Sequence, residues 1–521
     1  MKKLAVIGCG VAALPILKKA KEMDVETYCF ADDGIEEAMG LADNFIQTDF
    51  FEIDSVYKKC IEYGIDGIIA TSEITTEVTA ILANRLHLPG NRIENGFAGR
   101  NKYLMRERLT NTEGIFQPKF FLYTGKETIS YPVVVKALDG CGKNGISLAK
   151  NKEEFEKAVN TAKSVSTNNQ VLVEEYIESG IEYSVECLSC NDVHYVIQVT
   201  KKDTSGPPHF AEMGHHQPGE IKGTERYNLI EKSAKAILHA VGITSGMSHL
   251  EVKVTDDNKL YFIEVGARAG GDHIGDTLID LSVDYDYYKG AINIALNEFT
   301  PPKVNFKAYS GIYFLSTQTE YLLPLFTLAQ NASWCKKIKM PKNGIGNVVL
   351  NSQHEDGGYF IYQSDHKVSI ADVKFVAERI NDEEDTFNQL YDWNKKIGRN
   401  ISDEELKIGI QKFIDKGNAI AIRNNSEVIA FLNVYCNDYE TLNAYINNVE
   451  VYKSYRGLGL SKLLMEKAIE LCVEKNFKTI SLHVAKDNNA AIALYQKFGF
   501  KFVPSAEDNT QERLIEMVKK L

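Results

Sequence analysis

Along residues 1–99, short apolar runs alternate with amphipathic stretches of helical period. LAVIG reads as a buried strand, Val11 to Met23 as a helix and ETYCF as a second strand. Ser55 to Tyr63 is helical in pattern, GIDGIIAT is a strand and Thr76 to Arg85 a helix. This alternation predicts a small doubly wound α/β domain. From 100 to 300 the pattern changes. NKYLMRERL starts a helix at Lys102, YPVVVKAL is a buried strand, and Asn151 to Ala162 is a helix. VLVEEYI and IEYSVECLS are strands and 226–241 is an amphipathic helix. GMSHLEVKV and LYFIEVGARAGGDHI follow as neighbouring strands. Residues 301–368 are strand-rich, with turns expected at Gly311, Gly344, Gly346, Gly357 and Gly358.

The stretch ADVKFVAERINDEEDTF fits either a helix closing that region or a strand and helix opening the next. A boundary is placed near residue 369. Beyond it, NAIAIRNNSEVIAFLNVYC predicts a hairpin turning at Asn424 and Asn425. The remainder reads as strand, tight loop, long helix, strand, helix and strand. The expected division is 1–99, 100–300, 301–368 and 369–521, in keeping with a length of 521 residues.

Apolar residues are 44% of the chain, enough for several cores. A net charge of −12 argues against a nucleic-acid partner, which needs clustered Lys and Arg. Nine scattered cysteines read as a reducing cytoplasm and not as a disulfide framework. Cys187 and Cys190 form a lone C-x-x-C, better read as two strand cysteines than as a metal or redox pair. The start MKKLAVIGCG imitates a lipoprotein signal, but its uninterrupted apolar run is shorter than the about 7–15 residues such a signal needs. No run approaches the roughly 20 apolar residues of a membrane span. Gly8, Gly10 and Ala13, with Asp32 on the second strand, weakly match a dinucleotide-binding turn.

The chemistry lies elsewhere. Glu251 and Glu264 sit on neighbouring strands, with Arg268, Gly270, Gly271 and Asp272 just past the second. Upstream, Lys136 ends a strand before a loop bearing Gly140, Gly142 and Gly145. Paired carboxylates suit magnesium, which takes hard oxygen ligands from carboxylates and phosphates. Two like charges so close repel unless a cation lies between them. Loop N–H groups and a lysine suit the phosphates themselves. The lysine precedes the glycines, so this is not a P-loop.

As a set, these parts resemble the ATP-grasp superfamily, and within it the carboxylate–amine ligases that join amino acids. The resemblance covers roughly the first two-thirds of the chain. It implies that Lys102 and Lys136 hold the α- and β-phosphates and that Asp139 to Gly145 form a lid. Backbone groups near Glu175 and Ile177 would meet the adenine edge, and Glu182 the ribose. Glu251 and Glu264 would hold Mg2+ (or Mn2+), with Gly266 where many relatives place asparagine. Arg268 would stabilise the transferring phosphoryl, the alternative being a salt bridge to Asp272. HFAEMGHHQPGEI resembles an F-x-E-x-G-H-x-x-P element of L-amino-acid ligases, which makes Glu212 and His215 substrate-facing; a surface loop with solvated His215 and His216 is the other reading. His249 is open between the active site and a core hydrogen bond, and Gly271 is assigned to the substrate side.

YRGLGLS places Arg456, Gly457, Gly459 and Ser461 between a strand and a helix, where N–H groups and the helix dipole suit a pyrophosphate. With DNNAAIALYQKFGF this resembles the GNAT acyltransferase fold over its whole length. The resemblance assigns acetyl-CoA to Val451, Arg456, Gly457, Gly459, Ser461 and Asn488, and makes Tyr495 the acid for the departing thiolate. Glu450 is the candidate base, unless alternation points it to solvent.

The expectation is therefore a multidomain α/β and α+β enzyme: an ATP-grasp fold with a Rossmann-like first domain, followed by a GNAT fold. It would be an ADP-forming carboxylate–amine ligase joined to an acetyl-CoA-dependent N-acetyltransferase. Its partners would be small carboxylates and amines, with a homodimer allowed and no nucleic acid or membrane. The alternatives are an ATP-grasp carboxylase or carbamoyl-type enzyme, a half that binds nucleotide or acetyl-CoA only to regulate the other, and a nicotinamide oxidoreductase.

Overall fold

The computed structural model describes the chain except residues 94–96, 141, 143, 208–209, 342–356, 399–400, 425–426 and 504–512. It divides into two compact units, residues 1–318 with 332–368, and residues 319–331 with 369–521. Among the described residues no helix is long and apolar enough to cross a membrane.

The first unit opens with four parallel strands in the order Asn44–Gln47, Glu26–Gly34, Lys3–Cys9, Gly67–Ala70. Leu4 to Ile7 are fully buried, as a run apolar on both faces requires. The helix expected from Val11 starts as a 3-10 turn and is α-helical only over Leu14–Glu22, where Pro15 at its first turn fixes the entry. A small antiparallel sheet follows, of Phe120–Leu122, Val171–Glu175, Val133–Ala137 and Ile146–Ala149. Helix Lys152–Val165 covers it, packing Phe155, Ala158 and Ala162 on Val133, Val135 and Val173.

The remaining strands of this unit form one eight-stranded antiparallel sheet. Its order is Leu260–Gly266, Gly246–Val254, Ile181–Cys190, Val193–Thr204, Glu212–Gln217, Tyr309–Leu315, Gly358–Ser364, Cys335–Lys339. The strands after residue 301 thus extend the carboxylate-bearing sheet. One alternative falls here and one expectation changes. The element around HFAEMGHHQ is no surface loop, because Glu212–Gln217 is an inner strand with His215 and His216 buried. Gly311 is no turn, because it lies inside Tyr309–Leu315. A Cβ there would stand 2.5 Å from the Tyr362 ring and 2.6 Å from His216 Nδ1. The glycine makes room for neighbours and does not bend the chain. Gly358 likewise opens a strand, while Gly344 and Gly346 lie outside the described residues.

In the second unit the ambiguous stretch resolves into strand Ala377–Ile380 and helix Glu383–Lys396. The seven-stranded sheet runs Ala377–Ile380, Gly417–Asn424, Glu427–Tyr435, Asn443–Val451, Thr479–Ala485, Leu514–Lys520, Lys501–Phe502. Gly417–Asn424 and Glu427–Tyr435 form the expected hairpin, whose Asn425 is outside the described residues. One pair is parallel, Asn443–Ile446 against Thr479–Leu482, and it ends there. Asn443–Val451 also carries a bulge opposite Asn433 and Val434. A bulge bends its strand and re-aims the side chains beyond it.

Candidate functional site

In the first unit a cavity of about 580 Å³ is lined by residues of both antiparallel sheets. Lys136 and Glu174 lie diagonally across adjacent strands, since Lys136 faces Leu172 and Glu174 faces Val134. Lys136 Nζ is 2.7 Å from Glu174 Oε2, and Arg106 Nε is 2.7 Å from Oε1. Glu174 is only 3% exposed. Burial by itself would raise its pKa, but the charges of Arg106 and Lys136 prevail and hold it at about 2. Lys102 opens helix Lys102–Leu109, which Asn101 caps. Its Nζ donates to the Gly140 carbonyl at 2.5 Å and lies 2.7 Å from Glu264 Oε1. Gly140 and Gly142 line the cavity. Gly145 stands at the loop's exit, its carbonyl accepting the Ala137 N–H at 3.0 Å. Asp139 is tied to Ser166 and Thr167 and so anchors the loop's start.

At the opposite end are Glu175, Ile177 and Glu182. The Glu175 N–H donates to the Lys119 carbonyl at 2.8 Å. The Ile177 carbonyl accepts from Lys253 Nζ at 3.0 Å, and Lys253 lies 3.5 Å from Glu182.

Glu251 and Glu264 are direct cross-strand partners. Each is met by a buried lysine, Glu264 by Lys102 and Glu251 by Lys202. Lys202 also holds Glu212 at 2.9 Å. Burial would lower the pKa of Lys202, but Glu212 and Glu251 together carry it above the ordinary value. His249 bridges two carboxylates: Nδ1 contacts Glu186, and Nε2 is 3.3 Å from Glu251. It is thus on the cavity wall, with carboxylates as its ring partners among the described residues. Burial disfavours its charge, yet the Glu186 charge outweighs this and raises it to about 9. Glu186 also accepts the Gly270 N–H at 3.0 Å. A Cβ on Gly270 would stand 2.7 Å from both Glu186 Oε1 and His249 Nδ1, so only glycine passes this pair.

Arg268 does not pair with Asp272. Its Nη2 is 2.8 Å from Glu73 Oε1, because the turn after Gly266 carries it toward the Glu73–Thr75 turn. His215 is 1% exposed, lies edge-on to Phe314 and is 3.7 Å from Asp272 Oδ2. Gly271 and Asp272 line the same wall. The structure therefore brings most of the sequence-derived ligase residues to one cavity. It adds Arg106, Glu174, Lys202 and Glu73 to the lining and Glu186 behind His249, all of which the sequence reading passed over. Signals existed for two of these: Glu186 is an acid within the apolar run of IEYSVECLS, and Glu174 the first acid of VLVEEYI.

In the second unit Glu450 is half-buried and accepts from Trp393 Nε1 at 2.6 Å. Asn448 Nδ2 is 3.3 Å from its other oxygen, so the side chain does not simply point to solvent. Arg456 Nε donates to the Val451 carbonyl at 3.2 Å. Gly459, at φ +78°, precedes helix Leu460–Glu474, and Ser461 lies in the first turn of that helix. Gly457 is also left-handed, at φ +85°. Asn488 caps helix Asn489–Lys497 by accepting from the Ala491 N–H at 3.1 Å. Tyr495 is 8% exposed and packs against Phe500; burial raises its phenol pKa.

Residues 129–276 match the ATP-grasp domain, and residues 385–500 match the acetyltransferase (GNAT) family. Carbamoyl phosphate synthase large chain from Corynebacterium glutamicum is 26% identical over 168 residues, 31% of this chain but 15% of that protein. The 2-oxoglutarate carboxylase small subunit of Hydrogenobacter thermophilus is 22% identical over 341 residues, covering 59% of this chain and 70% of that one. Among solved structures, L-amino acid ligase from Bacillus licheniformis is similar in fold. It has a TM-score of 0.58 and 22% identity, covering 70% of this chain and 94% of that chain.

Proposed function

Because the chain carries an ATP-grasp domain and a GNAT acetyltransferase domain, we propose that it is a bifunctional enzyme. The first activity is ADP-forming ligation of a carboxylate to an amine, and the second is acetyl transfer from acetyl-CoA to an amine. One observation carries the ligase reading. Glu251 faces Glu264 across two strands, each carboxylate is met by a buried lysine, and both line one cavity with Lys136.

The paired carboxylates are hard oxygen donors and fit Mg2+, which when bound supplies charge neutralisation at the phosphates. Lys136, oriented by Glu174, and Lys102 hold the α- and β-phosphates. Gly140 and Gly142 offer backbone N–H groups to them. The Glu175 N–H is already used, so the adenine edge meets the Glu175 carbonyl and the Ile177 N–H. Glu182 takes the ribose. A carboxylate oxygen of the substrate attacks the γ-phosphorus, breaking the bond to the β-γ bridging oxygen and releasing ADP. Arg268 stabilises the charge in flight. The amine then attacks the acylphosphate carbon, phosphate leaves and the amine proton is lost. The site has cationic Arg268 and Lys202 beside anionic Glu212 and Asp272. That mixture suits zwitterionic substrates, so amino acids or a peptide-like metabolite are the proposed class, with Glu212, His215 and Gly271 on the substrate side.

In the second unit, the N–H groups from Gly457 to Ser461 and Arg456 take the pyrophosphate of acetyl-CoA. Val451 and Asn488 border the cofactor arm. Glu450 accepts the amine proton as nitrogen attacks the thioester carbon, and Tyr495 donates to the leaving thiolate. A shared chain suggests that the ligated product is the acetyl acceptor.

The test is phosphate release from MgATP with amino acids singly and in pairs, with products weighed. A pair-dependent rise with a new condensed mass supports the ligase, and a further acetyl mass on adding acetyl-CoA supports the coupling. The likeness to carbamoyl phosphate synthase and to a carboxylase subunit favours a second reading. ADP formation that requires bicarbonate and gives no condensed product would replace the first with it.

A further inference from the structure

Away from the cavity, the turn joining strands Ile181–Cys190 and Val193–Thr204 carries Asp192, followed by His194. The last turn of helix Glu225–Ala240 carries His239. One ligating atom from each of the three side chains falls in a cluster with no separation above 4.8 Å. None of the three lines the cavity. The cluster is held from both sides. Asn191 and Asp192 adopt φ of 50° and 65°, a tight two-residue turn, and the Asp192 N–H donates to the Thr244 carbonyl at 3.1 Å just beyond the helix.

His194 carries the argument. Its side chain is 5% exposed, and Nδ1 lies 2.8 Å from the buried Ser189 hydroxyl. With Nδ1–H donated there, the lone pair sits on Nε2, which is buried and makes no hydrogen bond. That nitrogen faces Asp192 Oδ1 at 3.5 Å, too far for a hydrogen bond. It is close to the about 3.4 Å that separates two ligands of a tetrahedral ion at bond lengths near 2.1 Å. Asp192 Oδ2 and His239 Nδ1 are hydrogen-bonded at 2.8 Å, a bond that an ion held by both atoms would replace. Nearby Lys235 is engaged by Glu231 at 2.8 Å, so its charge is answered.

We propose that Asp192, His194 and His239 form a site for a zinc-class divalent cation, with water as fourth ligand and Ser189 orienting His194. Two imidazoles and one carboxylate select zinc over magnesium, which prefers oxygen throughout. The ion clasps the hairpin to the end of the helix and has no part in ATP chemistry.

The test titrates chelator-stripped full-length protein with Zn2+ against a chromophoric competitor, in excess Mg2+. One equivalent should bind, and His239→Ala and Asp192→Asn should each weaken it at least tenfold. His239 is 69% exposed on its side chain, so its removal leaves the fold intact. Co2+ should give the intense visible bands of a four-coordinate site, absent in His239→Ala. Zinc should raise the melting temperature of the unsubstituted protein and not that of the variant. Undiminished binding in His239→Ala, displacement by Mg2+, or binding abolished by alkylating the cysteines would each overturn the site.

Discussion

Glu174 shows how one buried carboxylate organises two cations. Glu174→Ala leaves Arg106 and Lys136 buried without their anion, an expected cost of roughly 3–5 kcal/mol, read from urea midpoints. The pH dependence has a definite sign. The folded pKa of about 2 lies below the usual 4.5, so the stabilisation is complete above pH 4.5 and is lost as pH falls toward 2. It amounts to about 3 kcal/mol. The stability of Glu174→Gln should therefore fall less steeply than that of the unsubstituted protein between about pH 4.5 and 2. Gly270→Ala tests a different contact. The new methyl must displace Glu186 or His249, costing about 1–3 kcal/mol. ADP formation should suffer more than stability, because His249 also leans on Glu251.

At the scale of elements, helix Glu383–Lys396 lends Trp393 to Glu450 on a strand of the adjoining sheet. Trp393→Phe keeps the ring packing on Phe431 and removes the donor. A hydrogen bond to a charged group is worth about 1.5–3 kcal/mol, so kcat for acetyl transfer should drop by roughly ten- to a hundredfold. The KM for acetyl-CoA should not move; an unchanged kcat would remove Glu450 from the reaction. Helix Glu225–Ala240 starts at Thr224, whose hydroxyl accepts from the Tyr227 N–H at 3.2 Å. Thr224→Ala should cost about 1 kcal/mol, measured by urea unfolding of the full chain.

At the scale of the whole molecule, two sites on two compact units should be separable by mutation. Glu251→Gln with Glu264→Gln should abolish ADP formation and leave acetyl transfer at its original rate. Tyr495→Phe should slow acetyl transfer and leave ADP formation unchanged. Loss of both activities in either variant would mean that one half serves only to regulate the other.

Local pattern determined much of this protein. The alternation of strands and helices, Lys136 before its glycines, and the paired acids of HLEV and FIEV are all short-range, because period and turn chemistry act within a few residues. The same holds for RGLGLS and its helix. The tertiary structure alone decided which side chains answer those charges. Lys202 reaches Glu251, Arg106 reaches Glu174 and Glu73 reaches Arg268 across separations of 49, 68 and 195 residues. Solitary charges on strands read as solvated in one dimension. In the folded sheet they face partners that make their burial tolerable. The same physics set aside the surface-loop reading of AEMGHHQ, where Glu212–Gln217 is an inner strand: His216 is buried with both ring nitrogens hydrogen-bonded, one to Asp203 and one to Tyr362. Gly311, likewise, is a glycine for the sake of that ring, a requirement no neighbour in sequence expresses.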